Sequence, residues 1–145
     1  MAKIVKLNIK PDFDFVLIAL VSSEPLYRIG WLINEHINIQ LKEVEPINII
    51  HSKRQINQEF QRFAFINDTE TYYLVNNKSE NGVLIEEQKQ VDFWLKIESL
   101  NQINSADLVK NIKSIKDINL AFIVDPSSLK SKQKLISFDS EFEDS

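Results

Sequence analysis

Cysteine is absent from this 145-residue chain. The absence removes disulfides, thiolate zinc sites, iron–sulfur clusters and cysteine nucleophiles together, and it fits a reducing compartment. Glycine is almost as scarce, with only Gly30 and Gly82 present. No phosphate-cradling loop of a familiar pattern can be built from them, so classical nucleotide binding is disfavoured. The histidines, His36 and His51, stand apart from each other and no local metal site is expected. No nucleophile elbow accompanies the serines. Long apolar runs are missing too. The longest, 15–21, is far short of the roughly 20 residues a membrane helix needs. The opening Met1-Ala2-Lys3-Ile4-Val5-Lys6-Leu7 has no apolar stretch of signal-peptide length. The expectation is a cytoplasmic protein with no membrane attachment, no cofactor and no metal.

Basic charge is also in short supply. The formal charge is −4, and Asp139, Glu141, Glu143 and Asp144 in the tail account for all of it. Residues 1–136 are therefore electrically neutral. A neutral body lacks the basic footprint of a phosphate binder, so nucleic acid is not the expected partner. The composition is 43% hydrophobic and 26% charged, an ordinary globular balance. Residues 1–136 read as one globular domain and 137–145 as a disordered acidic tail.

Residues 1–11 read as a short arm. The run 13–21 reads as a strand buried on both sides, with Val16, Ile18 and Leu20 on one face and Phe15, Leu17 and Ala19 on the other. Ser22 or Ser23 is expected to cap a helix with Glu24 and Pro25 in its first turn. Leu26, Ile29, Ile33 and Ile37 recur at helical spacing, and the helix should end at 36–38. Residues 39–44 form a strand that Pro46 interrupts. Segments 56–66 and 71–76 are aromatic-rich strands joined by a hairpin loop. Segment 91–98 alternates, placing Val91, Phe93, Leu95 and Ile97 on one face and Asp92, Trp94, Lys96 and Glu98 on the other. That leaves Trp94 partly exposed beside charged neighbours. Asn104 or Ser105 caps a second helix with Leu108, Ile112 and Ile115 inward. A last strand covers 120–124, and 127–136 reads as a short basic helix.

Strand, helix and strand thus occur in the same order twice, opening with Phe13-Asp14-Phe15 and with Val91-Asp92-Phe93. That order suggests a duplicated β-α-β unit. The expected fold is α+β: a mostly antiparallel sheet of about five to seven strands under two main helices. The alternative is a ferredoxin-like split β-α-β arrangement.

One segment has the look of a signature: Ile85-Glu86-Glu87-Gln88-Lys89-Gln90-Val91-Asp92-Phe93. It reads as a loop running into a strand, and only Glu87 and Asp92 in it could do chemistry. In one reading Asp92 caps a backbone amide or pairs with a base, as loop aspartates commonly do. In the other, Glu87 and Asp92 converge in a pocket, with Trp94, Lys96 and Arg28 as further binding residues. No catalytic residue can be named. The aromatics Phe60, Phe63, Phe65, Tyr72, Tyr73, Phe93 and Trp94, near Lys53, Arg54 and Arg62, could stack single-stranded nucleic acid. The neutral body favours core or interface roles for them instead.

The signature segment resembles an uncharacterised bacterial family named for its motif, IPExxxVDY. Ile85, Glu87, Val91 and Asp92 fall on fixed letters. Glu86 replaces proline and Phe93 replaces tyrosine. Phe13-Asp14-Phe15, the helix with Tyr27, Arg28, Trp31 and Asn34, Asn77-Lys78-Ser79 and Asp125-Pro126-Ser127 extend the likeness. The family carries no known activity, so the resemblance implies none. The leading expectation is a non-catalytic protein-interaction module, a homodimer anchored by an exposed Trp94 near Tyr72 or Tyr73. The alternatives are a small-ligand binder or enzyme using Glu87 and Asp92, and single-stranded nucleic-acid binding through the aromatic hairpin.

Overall fold

A computed structural model describes residues 15–51 and 56–130, apart from the side chains at 50 and 51. The amino-terminal arm, the acidic tail and most of the expected basic helix lie outside the described residues. In chain order the elements are β1 (Val16–Val21), α1 (Leu26–Ile37), β2 (Lys42–His51), β3 (Ile56–Ile66) and β4 (Glu70–Asn76). Then come β5 (Lys78–Ser79), β6 (Gly82–Val83), a 3-10 turn (Glu86–Gln88), β7 (Phe93–Ser99), α2 (Ser105–Lys113), β8 (Leu120–Ile123) and a 3-10 turn (Pro126–Ser128).

Six strands form one sheet in the order β2-β3-β4-β7-β1-β8, and every neighbouring pair is antiparallel. The fold is α+β, as expected. Within it, β8-β1-β7-β4 have the order and directions of the split β-α-β arrangement, and β2 and β3 extend that core as a meander. The duplication is overturned. Strands β7, β4 and β3 separate β1 from β2, whereas β1 alone separates β7 from β8. The two blocks therefore hold non-equivalent places, and their shared order reflects only common residue types.

Helix α1 starts at Leu26 with Pro25 at its N-cap and no side-chain cap. The serine cap is thus a correction. The Ser22 hydroxyl points elsewhere, donating to the Asp117 carbonyl at 2.7 Å and accepting from the Glu24 amide at 3.1 Å. The helix closes at Asn38, in the left-handed conformation at φ 62°. The Asn104 side chain caps α2 by accepting from the Asp107 amide at 3.1 Å, as expected. Strand β2 runs on through Pro46, because it is an edge strand and its register shifts between Val44 and Ile47.

The sheet is buried on both faces by different means. Ile18, Leu20, Leu74, Leu95 and Ile97 pack under Ile29, Ile33 and Ile112 of the helices. Leu17, Ala19, Phe60, Tyr73, Val75 and Trp94 form a second cluster, covered by Leu84, Ile85, Val91, Val124 and Leu129 from non-helical chain. The alternation expected for β1 holds. Val91 is a correction: it joins Trp94 rather than Phe93, because the strand begins only at Phe93.

Gly30 faces the sheet closely. An added Cβ would lie 3.5 Å from Phe63 Cδ2 and 3.8 Å from Leu74 Cδ2, ordinary contact distances. Gly82, directly after Asn81, has a positive φ of 151°. Among the described residues no helix is long and apolar enough to cross a membrane.

Candidate functional site

The signature segment closes on a residue that precedes it. Asn77, directly after β4, is fully buried. An amide side chain offers two donor hydrogens and one oxygen with two lone pairs, and here all are engaged. Nδ2 donates to the carbonyls of Gln88 and Val91, each at 2.9 Å. Oδ1 accepts from the Ile85 amide at 2.9 Å and from Trp94 Nε1 at 2.8 Å. The Asn77 backbone adds two bonds, donating to the Asp92 carbonyl at 2.9 Å and accepting from the Leu84 amide at 2.8 Å. The loop thereby packs as if it were regular structure, with its buried backbone groups satisfied by one side chain.

Trp94 is the main correction to the sequence reading. It is fully buried rather than partly exposed. Alternation placed it correctly on the face opposite Phe93, but that face is roofed by Leu84, Ile85 and Val91. Tyr72 and Tyr73 are buried as well, so no exposed tryptophan–tyrosine anchor exists there. The clustered aromatics divide over both sheet faces, and none of their rings is an exposed platform. Burial, and then the nearby Glu70 charge, push the Tyr72 phenol above its ordinary pKa.

Asp92 does what a capping aspartate does. Its Oδ2 accepts from the Ser22 amide at 2.9 Å and its Oδ1 meets Lys78 Nζ at 2.8 Å. Its backbone amide donates to the Leu20 carbonyl at 2.9 Å. These bonds join the end of β1 to the start of β7. Arg28 belongs to the same polar chain at one remove. Its Nη2 donates to Asp117 Oδ2 at 3.2 Å, and the Asp117 carbonyl holds the Ser22 hydroxyl. Arg28 also reaches Glu24 at 3.5 Å and lies over the Trp31 ring at 5.7 Å. Asp92 and Arg28 are therefore brought together through Ser22 and Asp117.

Glu87 sits on the exposed 3-10 turn, outside that chain. Lys96 lies elsewhere, buried on the second face. Its Nζ is 3.4 Å from Glu98 Oε2 and 4.7 Å from the Phe15 ring centroid. Arg62, which sequence reasoning passed over as a core residue, is buried on the same face. It donates through Nε to the Glu45 carbonyl at 2.6 Å and lies over the Tyr73 ring at 5.8 Å.

Described depressions fall beside the β3–β4 turn, beside the β5–β6 hairpin, at the start of α2 and beside Tyr27, and none is lined by Glu87, Asp92, Trp94, Lys96 or Arg28. Among the described residues no group of three or more His, Asp or Glu could hold a metal ion. The signature corner is built to lock the chain. Both Asp92 oxygens are engaged, one by the Ser22 amide and one by Lys78. Comparison with family models, with curated proteins and with solved structures yields no match for this chain.

Proposed function

We propose that this protein is a non-catalytic interaction module that self-associates edge to edge through β8. The observation that carries the reading is the apolar character of that edge. Leu120, Phe122 and Ile123 are 55%, 36% and 48% exposed on a strand of four residues. Natural sheets guard open edges with prolines, bulges and charges. The opposite edge, β2, has all three in Pro46, the shift after Val44, and Lys42, Glu43 and Glu45. Strand β8 has none of them. Pairing β8 with its copy about a two-fold axis would continue the sheet and cover these side chains.

The signature corner supports a structural role for the motif. Glu86 opens the 3-10 turn, a first position where proline is at home, which supports membership in the IPExxxVDY family. Sedimentation velocity at high micromolar concentration tests the proposal. The wild type should be a dimer, and Phe122→Lys with Ile123→Lys should be a folded monomer. A monomeric wild type would sink it.

A further inference from the structure

We infer that the helix-side face of β3 is a docking groove for an extended basic segment of a partner protein, anchored by one apolar side chain beside Tyr27. Side chains of alternate strand residues share a face, so Phe63, Gln61, Glu59 and Asn57 form a row on this side. Helix α1 covers only the Phe63 end of it. A depression of about 280 Å³ lies there, lined by Leu26, Tyr27, Glu43 and Phe63 together with Gln61 and Asn76. A second, of about 390 Å³, lies at the far end against Asn57, Glu59, Lys78 and Glu80, and it shares Gln61 and Asn76 with the first. The two depressions adjoin at that shared pair, end to end along the row.

Its length and chemistry define the occupant. From Phe63 to Asn57 the row spans six residues of strand, about 20 Å at roughly 3.4 Å each. That is the reach of about six residues of extended peptide, and too long for a single small metabolite. The helix end is apolar: Tyr27 is 70% exposed there, next to Phe63 and Leu26. The remainder is acidic. Glu43, Glu59 and Glu80 enter no ion pair among the described residues, whereas Lys78, the one cation among the described lining residues, is already held by Asp92 at 2.8 Å. A negative lining selects a positive partner and rejects nucleic acid. Gln61 and Asn76, at the junction, make no side-chain hydrogen bond among the described residues, so their amides can pair with a peptide backbone. This groove lies on the β2–β3–β4 side of the sheet, away from β8, and stands whether or not the chain self-associates.

Fluorescence anisotropy with a labelled Lys-Lys-Leu-Lys-Leu-Lys peptide tests the inference. Binding should saturate, weaken between about 50 mM and about 150 mM salt, and disappear when the leucines of the peptide become serines. Y27A and E43K/E59K, all at exposed positions, should each lose about tenfold or more in affinity while keeping the wild-type circular dichroism. No saturation up to about 1 mM peptide, or equal binding by wild type and both variants, would overturn it. Spermine competing as well as unlabelled peptide would also overturn it, because the ligand would then be a small polycation.

Discussion

The two faces of the sheet solve the same problem with different chemistry. On one, α1 and α2 lie over Ile18, Leu20, Leu74 and Leu95. A helix satisfies its own backbone, so this face needs only an apolar stripe at helical spacing. On the other, the cover is irregular chain, which brings backbone donors and acceptors into a place without water. Asn77 answers them, with four side-chain bonds to Gln88, Val91, Ile85 and Trp94. The lesson is that a loop can replace a helix as the lid of a core if a buried polar side chain supplies the bonds the loop cannot make for itself.

That contrast can be broken most directly at Asn77. Asn77→Leu keeps the branched shape and removes the four bonds, orphaning the Ile85 and Trp94 N–H groups and the Val91 carbonyl, while the Gln88 carbonyl keeps the Val91 amide. The expected loss is more than about 3 kcal/mol, at about 1–3 kcal/mol per orphaned group with partial relaxation. Ile33→Val, on the helix-covered face, should lose only about 1 kcal/mol. Urea unfolding measures both, and equal losses would end the distinction between the faces. Asp92 sharpens the picture at the rim of the loop. Asp92→Ala orphans the Ser22 amide and should destabilise by about 1–2 kcal/mol. Asp92→Asn keeps an acceptor and removes only a half-exposed ion pair, a change below about 1 kcal/mol that added salt should erase. The smallest effect has the opposite sign and belongs to the helix-covered face. Gly30→Ala places its methyl at contact distance from Phe63 and Leu74, and should raise stability by about 0.5–1 kcal/mol in a thermal melt.

The helix-covered face was the more legible of the two. Periodicity located α1 and its end at Asn38, the Asn104 cap, and the alternation of β1, because each depends on residues near in sequence. The loop-covered face was less so. Alternation placed Trp94 opposite Phe93 but could not say what roofs it, and the charged neighbours Lys96 and Glu98 pointed to solvent. Burial of Lys96 and Arg62 depends on rings and carbonyls supplied by other strands. The candidate site was legible only in Asp92, whose capping role is a local habit of aspartate. Asn77 carried a signal that went unused: a buried tryptophan needs an acceptor for its N–H, and an asparagine just past the end of the neighbouring strand can supply it.

The place of β1 has a bearing on how the chain is made. Its apolar run leaves the ribosome early, yet its neighbours come last: Val16 pairs with Ile97, and Ile18 with both Leu95 and Ile123. At about 5–20 residues per second, roughly 4–15 s pass between the synthesis of β1 and of β7. For that interval this apolar segment has no native strand partner, and a nascent chain arrested before β7 should need a chaperone to stay in solution.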